Sequence, residues 1–241
     1  MKTVRIENVS FLQKGKGKDL VLLHGYLSSK EAFAAQVAYF SRFYRVTAFD
    51  FLGQGKSAEI PSPFSVDDYA AWTEELLRAL GVRSPCVIAH SFGCRVLIKM
   101  AKRGNIPFGK LVLTGPAGVV MNRGARYRRR VRLYRFVRRI APVFAERHFG
   151  SKEYRSLSPM MRESYKKIVN EDLRADAACV ENPVLIVQGV RDSVTPACEA
   201  EAYRSVMKNA RLVTLDGGHF AFAENPVAFN ILVEEFLQND R

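Results

Sequence analysis

Four cysteines in a chain of 241 residues are too few for a disulfide scaffold, and none stands in the C-x-x-C spacing of a zinc or redox site. Cys86, Cys94, Cys179 and Cys198 are therefore expected as small buried hydrophobes. No stretch approaches the roughly 18 uninterrupted apolar residues of a membrane span. The opening residues 1–7 carry no apolar signal-peptide region, which sets the expectation of a cytoplasmic protein. With no H-x-x-H pair and no carboxylate–histidine cluster of ligand spacing, neither a metal nor a cofactor is expected. Internal repeats and low-complexity linkers are also missing. What is there is 48% hydrophobic content, enough to bury one substantial core that carries an insertion.

Short apolar runs alternate with helix-patterned stretches, which predicts an α/β fold with a mostly parallel sheet covered by helices on both faces. The opening differs. Residues 4–6 and 9–13 look like two antiparallel edge strands, followed by the turn Lys14-Gly15-Lys16-Gly17-Lys18. Ser28 precedes Glu31 by three, a capping-box signal for a helix that carries Phe33, Val37 and Phe40 on one face. Ser65 and Asp68 repeat the device ahead of Tyr69, Trp72, Leu76, Leu77 and Leu80, and Gly81 ends that helix. Asn225-Pro226 opens the last helix, with Phe229, Leu232, Val233 and Phe236 facing inward.

Ala89-His90-Ser91-Phe92-Gly93 lies directly after the apolar run 85–88 and directly before the helix-like stretch 94–101. A serine is thus held at a strand-to-helix turn, the layout of a nucleophile elbow. The turn is so sharp that the residues two before and two after the serine must be small, and Ala89 and Gly93 meet that demand. Two further residues complete a set. Asp192 follows the buried run 183–189, and His219 follows the run 212–215 through Asp216-Gly217-Gly218. Ser91, Asp192 and His219 each lie just past the carboxyl end of a different strand, in the chain order Ser, Asp, His.

With these residues the chain resembles the α/β-hydrolase superfamily. Val21-Leu22-Leu23-His24-Gly25-Tyr26 is similar to the third strand and oxyanion loop of that fold, and 50–57 to its D-x-x-G-x-G-x-S loop. Ala89 stands where the family has glycine, and Gln54 where many members have histidine. The resemblance implies that the backbone N–H groups of Tyr26 and Phe92 form the oxyanion hole and that His24 braces the oxyanion loop. It also implies a helical cap in the long interval between the strands at 111–116 and 183–189. The expected organisation is a first part of the core over 1–119, a cap over 120–178 and a second part of the core over 179–241.

A serine hydroxyl is a poor nucleophile at neutral pH unless a base takes its proton. His219 is the candidate base, and Asp192 would hold its tautomer and stabilise the imidazolium. Asp216 is a competing acid by composition, but its closeness to His219 on one loop suits a role in shaping the turn. These residues lead to the expectation of a serine hydrolase that cleaves a carboxylic ester or thioester through an acyl-enzyme. Two other readings stand beside it, a carbon–carbon bond hydrolase of the same fold and a catalytically idle ligand-binding or interaction protein. Haloalkane dehalogenases and epoxide hydrolases of this fold use aspartate at the elbow, where this chain has Ser91.

Residues 121–180 hold sixteen Lys and Arg against six Asp and Glu, which is +10 of the chain's +13. Tyr127, Val131, Tyr134, Val137 and Ile140 recur at helical spacing among arginines, which predicts a basic amphipathic helix. Arg128, Arg129 and Arg132 are candidates for gripping an anionic partner: coenzyme A, an acyl carrier protein or an anionic membrane surface. A solvated face would look the same. Nucleic acid is disfavoured because no recognised binding module is present.

Overall fold

The computed structural model describes residues 5–120, 129 and 157–239. Along the chain run β1 (Phe11–Lys14), β2 (Asp19–Leu23), α1 (Ala34–Phe40), β3 (Arg45–Phe49), α2 (Val66–Ala79), β4 (Cys86–His90), α3 (Phe92–Arg103) and β5 (Leu111–Thr114). Then follow α4 (Pro159–Val169), α5 (Arg174–Ala177), β6 (Val184–Gly189), α6 (Ala197–Val206), β7 (Ala210–Leu215), α7 (Ala221–Glu224) and α8 (Pro226–Gln238). The strands form one sheet in the order β1-β3-β2-β4-β5-β6-β7. Among the described residues only β1 runs antiparallel to its neighbour, β3; the other pairings are parallel.

Strand periodicity sorts the core into two layers, because successive side chains point to opposite faces. Leu20, Leu22, Ile88, Val112, Leu185 and Val187 face the layer that holds Phe33, Phe40, Phe229 and Val233. Val21, Leu23, Val87, Leu111, Leu113, Val184 and Ile186 face the layer built from Tyr69, Leu76, Val96, Met100 and Tyr203. Helices α1 and α8 thus cover one face, and α2, α3 and α6 the other. Burial on both faces explains why the central strands read as continuous apolar runs.

Several sequence expectations meet corrections here. Ile6–Asn8 is a short 3-10 turn, closed by Val9 N–H on Ile6 O at 2.9 Å, so the described part of the opening contributes one edge strand, β1. Ser28 does not cap a helix. Its N–H donates to Gly25 O at 3.2 Å, and the 3-10 turn Lys30–Phe33 starts one residue later, at Ser29. Glu31 is drawn instead to the Lys30 ammonium at 3.0 Å. The Ser65–Asp68 capping box does form, each partner satisfying the other's backbone N–H. Cys94 is buried as expected and Cys86 partly so, whereas Cys179 and Cys198 are exposed.

The chain crosses from β3 back over β2 to β4, so the loops after β2 and β4 leave toward opposite faces of the sheet. A parallel sheet opens a crevice at such a reversal, outside the carboxyl ends of its strands. Tyr26 follows β2 and Ser91 follows β4, so both stand at that crevice.

The interval between β5 and β6 contributes α4 and α5 among the described residues. Helix α3 holds them down. The Arg95 guanidinium donates to the carbonyls of Ile168 at 2.8 Å and Glu171 at 3.0 Å, at the carboxyl end of α4, where a cation is favoured. Lys99 meets Glu171 at 2.6 Å, Asp176 at 2.7 Å and Asp67 at 3.2 Å. Arg128 and Arg132 lie outside the described residues; Arg129 is exposed. Among the described residues no helix is long and apolar enough to cross a membrane.

Candidate active site

Ser91 adopts φ 50° and ψ −107°, a left-handed conformation that a non-glycine residue holds only under constraint from its surroundings. Its N–H donates to Thr114 O at 3.1 Å on the neighbouring strand, and α3 begins at the next residue. The elbow presses α3 onto β2: a Cβ on Gly93 would lie 2.3 Å from Leu23 O, so only glycine fits. At the first small position the Ala89 methyl is fully buried in the core, and the glycine expected there is not needed.

The Phe92 amide follows this serine at the amino end of α3, where the helix dipole favours negative charge, and the Tyr26 amide follows Gly25, where a Cβ would lie 3.5 Å from the Ser91 Cβ. Among the described residues no oxygen accepts a hydrogen bond from either amide. The loop bearing Tyr26 is braced from three sides. His24 Nδ1–H donates to Gly25 O at 2.7 Å, while its Nε2 accepts from Phe51 N–H at 3.1 Å. That pairing requires the neutral ring, and burial pushes the His24 pKa down to about 4. Gln54 Oε1 accepts from the N–H of Leu27, itself left-handed at φ 58°. The Tyr26 ring packs on Phe92 and Tyr165, and its hydroxyl donates to Met161 O in α4 at 3.2 Å.

The loop that carries Gln54 is held by the buried Asp50. That carboxylate accepts from Lys30 N–H at 2.7 Å and Lys56 N–H at 2.9 Å and meets the Lys30 ammonium at 3.2 Å. Ser57 closes the loop by donating to Asp50 O at 2.7 Å. The D-x-x-G-x-G-x-S pattern is therefore a scaffold for the oxyanion loop.

At the carboxyl ends of β6 and β7, His219 Nδ1 lies 2.8 Å from Asp192 Oδ2. A carboxylate only accepts, so Nδ1 carries the proton and Nε2 of the neutral ring is left with its lone pair. Asp192 Oδ1 accepts from the N–H groups of Val194 and Thr195 at 2.8 and 2.9 Å, and Oδ2 from the Thr195 hydroxyl at 2.8 Å. Burial raises the Asp192 pKa, but the bonds from His219 and Thr195 outweigh it and bring it down to about 2. Asp216, by contrast, is exposed and pairs with Arg191. The two loops are joined by Arg191 N–H on Gly217 O at 2.9 Å, and Glu224 holds Gly218 N–H at 2.8 Å.

His90 bridges the two halves of the site. Its ring centroid is 4.6 Å from that of His219, and its Nε2 lies 2.9 Å from His219 O. Thr195, the Tyr26 hydroxyl and this His90 contact were not read from the sequence. Thr195 had a signal in its spacing: Asp at i with Thr at i+3 is the separation at which a side chain caps the backbone of a tight turn. Among the described residues no group of three or more His, Cys, Asp or Glu could hold a metal ion.

Residues 20–230 match the model of the alpha/beta hydrolase family. A stretch of 95 residues is 30% identical to an (E)-2-((N-methylformamido)methylene)succinate hydrolase of Acinetobacter baylyi; it spans 38% of this chain and only 36% of that protein. A hydrolase from Pseudomonas aeruginosa of known structure is 25% identical, superposes with a TM-score of 0.76 and shares 96% of this chain with 94% of its own. An esterase from Exiguobacterium antarcticum, 20% identical, has the same fold at a TM-score of 0.77, with 96% of both chains covered. The chain belongs to the alpha/beta hydrolase family and is a hydrolase built on that fold.

Proposed function

We propose that the protein is a serine hydrolase that cleaves a carboxylic ester or thioester through an acyl-enzyme. What supports this reading is the His219–Asp192 contact of 2.8 Å, which directs Nδ1–H at the carboxylate and leaves Nε2 as the basic nitrogen of a neutral ring, together with a serine held at positive φ at the strand-to-helix elbow. In this reading His219 Nε2 takes the Ser91 hydroxyl proton as Oγ attacks the carbonyl carbon. The oxyanion is received by the Tyr26 and Phe92 amides, each worth about 3 kcal/mol of barrier. Collapse breaks the bond to the alcohol or thiol, which leaves with the proton from His219. Water then attacks the acyl-enzyme; His219 takes its proton and returns it to Ser91 Oγ as the carboxylic acid is released.

The arginine-rich segment that includes Arg128, Arg129 and Arg132 favours substrates whose leaving group is anionic, coenzyme A or an acyl carrier protein, or enzyme working at an anionic membrane surface. Purified protein should be labelled by a fluorophosphonate at Ser91. It should turn over p-nitrophenyl esters or acyl-thioesters, with the loss of nearly all activity in Ser91→Ala and no change in fold. Turnover by Ser91→Ala close to that of the wild type would sink the proposal.

A further inference from the structure

The residue before the nucleophile is a histidine that the reaction outlined above does not use. His90 is 1% exposed, and its imidazole is enclosed by the rings of His219, Phe220 and Phe222, with centroids 4.6, 4.8 and 4.8 Å away. Nε2 lies 2.9 Å from the carbonyl oxygen of His219, which can only accept, so Nε2 carries the proton. The other nitrogen, Nδ1, is buried without a hydrogen-bond partner. It faces the oxyanion loop so closely that a Cβ on Gly25 would lie 2.8 Å from it.

One side chain therefore touches three parts of the site at once. Its backbone adjoins Ser91, its N–H holds the main chain of His219, and its far edge packs against the residue before Tyr26. A buried polar nitrogen without a partner costs free energy, and an apolar ring would avoid that cost, so packing alone does not account for histidine here. The ring is also unsuited to carrying protons. Burial and the neighbouring His219 push its pKa down to about 3, and the other titratable groups near it are Asp192 and His24.

We propose that His90 is a positioning residue that sets the separation of the Ser91 nucleophile, the His219 base and the Tyr26 amide through its Nε2–H bond to the His219 carbonyl. The inference rests on the serine-hydrolase reading of the same site. Without the bond, the His219 loop is free to drift relative to the elbow, and a misplacement of about 1 Å costs on the order of 100-fold in rate. The loss belongs in kcat, because no atom of His90 has been assigned to substrate binding.

The test compares His90→Leu, His90→Gln and His90→Asn, with competent sites counted by fluorophosphonate titration and folding followed by thermal melting. Gln places an amide N–H near the position of Nε2; Asn is one methylene too short, and Leu has no donor. Expected is a fall in kcat per titrated site on the order of 100-fold for Leu and Asn, with KM within about twofold, and recovery by Gln to within about tenfold of the wild type. The pH profile of kcat/KM should keep its wild-type shape in His90→Gln. If Leu does not fold, the Gln–Asn contrast decides. Equal kcat in Gln and Asn, or a wild-type kcat per site in Leu, would overturn the proposal, as would loss of a limb of the pH profile in Gln, which would make His90 a proton carrier. A wild-type protein that the probe does not label at Ser91 would instead bring down the serine-hydrolase reading, and this inference with it.

Discussion

The hydroxyl of Tyr26 donates to the carbonyl oxygen of Met161 at 3.2 Å, tying the oxyanion loop to helix α4. In the proposed reaction the same residue offers its N–H to the oxyanion, so its side chain and its amide would serve one loop. Burial raises the pKa of the phenol, which keeps the hydroxyl a donor. Tyr165, also in α4, packs on the ring. The segment between β5 and β6 is therefore built into the position of the Tyr26 amide.

Tyr26→Phe should keep the ring packing and lose only this bond. A neutral hydrogen bond contributes roughly 0.5 to 1.5 kcal/mol net, so kcat for a small ester should fall about two- to tenfold, with a smaller change in KM. Steady-state kinetics of the purified variant check this. An unchanged kcat would show that the amide is held by Gln54 and His24 without help from α4.

The two candidate carboxylates differ in what they touch. Asp192 accepts four hydrogen bonds and contacts His219, whereas Asp216 is exposed and pairs with Arg191. Asp192→Asn should lower turnover on the order of a thousandfold or more by favouring the wrong histidine tautomer. Asp216→Asn should change it little. The reverse pattern in ester kinetics would identify the other acid.

Local patterns carried the chemistry-bearing residues, and tertiary contacts carried what surrounds them. The strand-end positions of Ser91, Asp192 and His219 were legible because each follows a buried apolar run, and β4, β6 and β7 share one sheet with β5 between the first two. The Ser65 cap was legible because both partners lie within one turn of helix. Ile6 misled because a β-branched residue beside an edge strand looks extended, while the bonds Asn8 N–H to Arg5 O and Val9 N–H to Ile6 O close the segment into a turn. Ser28 misled because its spacing of three to Glu31 fits a capping box, whereas the turn begins after Ser29 and Glu31 pairs with Lys30. The roles of Tyr26, His90 and Arg95 rest on contacts with partners 135, 129 and 73 residues away, which no local period records.

Arg95 should matter to stability more than to chemistry. Its guanidinium is buried and donates to two carbonyls at the end of α4. Hydrogen bonds from a charged donor contribute about 1.5 to 3 kcal/mol, and in a chain of this size each kcal/mol moves Tm by roughly 2 to 4 °C. Arg95→Met should lower Tm by about 3 to 12 °C and speed proteolytic cleavage between β5 and β6. A variant with wild-type Tm and wild-type proteolysis would mean that Lys99 and the Tyr26–Met161 bond hold this segment without Arg95.

The buried histidines set the acid limit of the fold. His24 and His90 are neutral, with pKa values pushed down to about 4 and about 3, whereas an unfolded chain protonates histidine near 6.5. Above that value neither state binds the proton, and the two residues leave stability unchanged. Below it the unfolded chain takes up protons that the fold cannot, so stability falls as pH falls, until the folded pKa values are reached. Each histidine should cost about 2 kcal/mol between neutral pH and pH 5. Asp192 extends the loss further, because its folded pKa of about 2 lies below the usual carboxylate value. Urea unfolding at pH 7, 6 and 5 should show the decline, and His90→Gln should lessen the loss between pH 7 and 5 by about 2 kcal/mol. The same decline in both proteins would show that His90 is already protonated in the fold, with its Nδ1 paired.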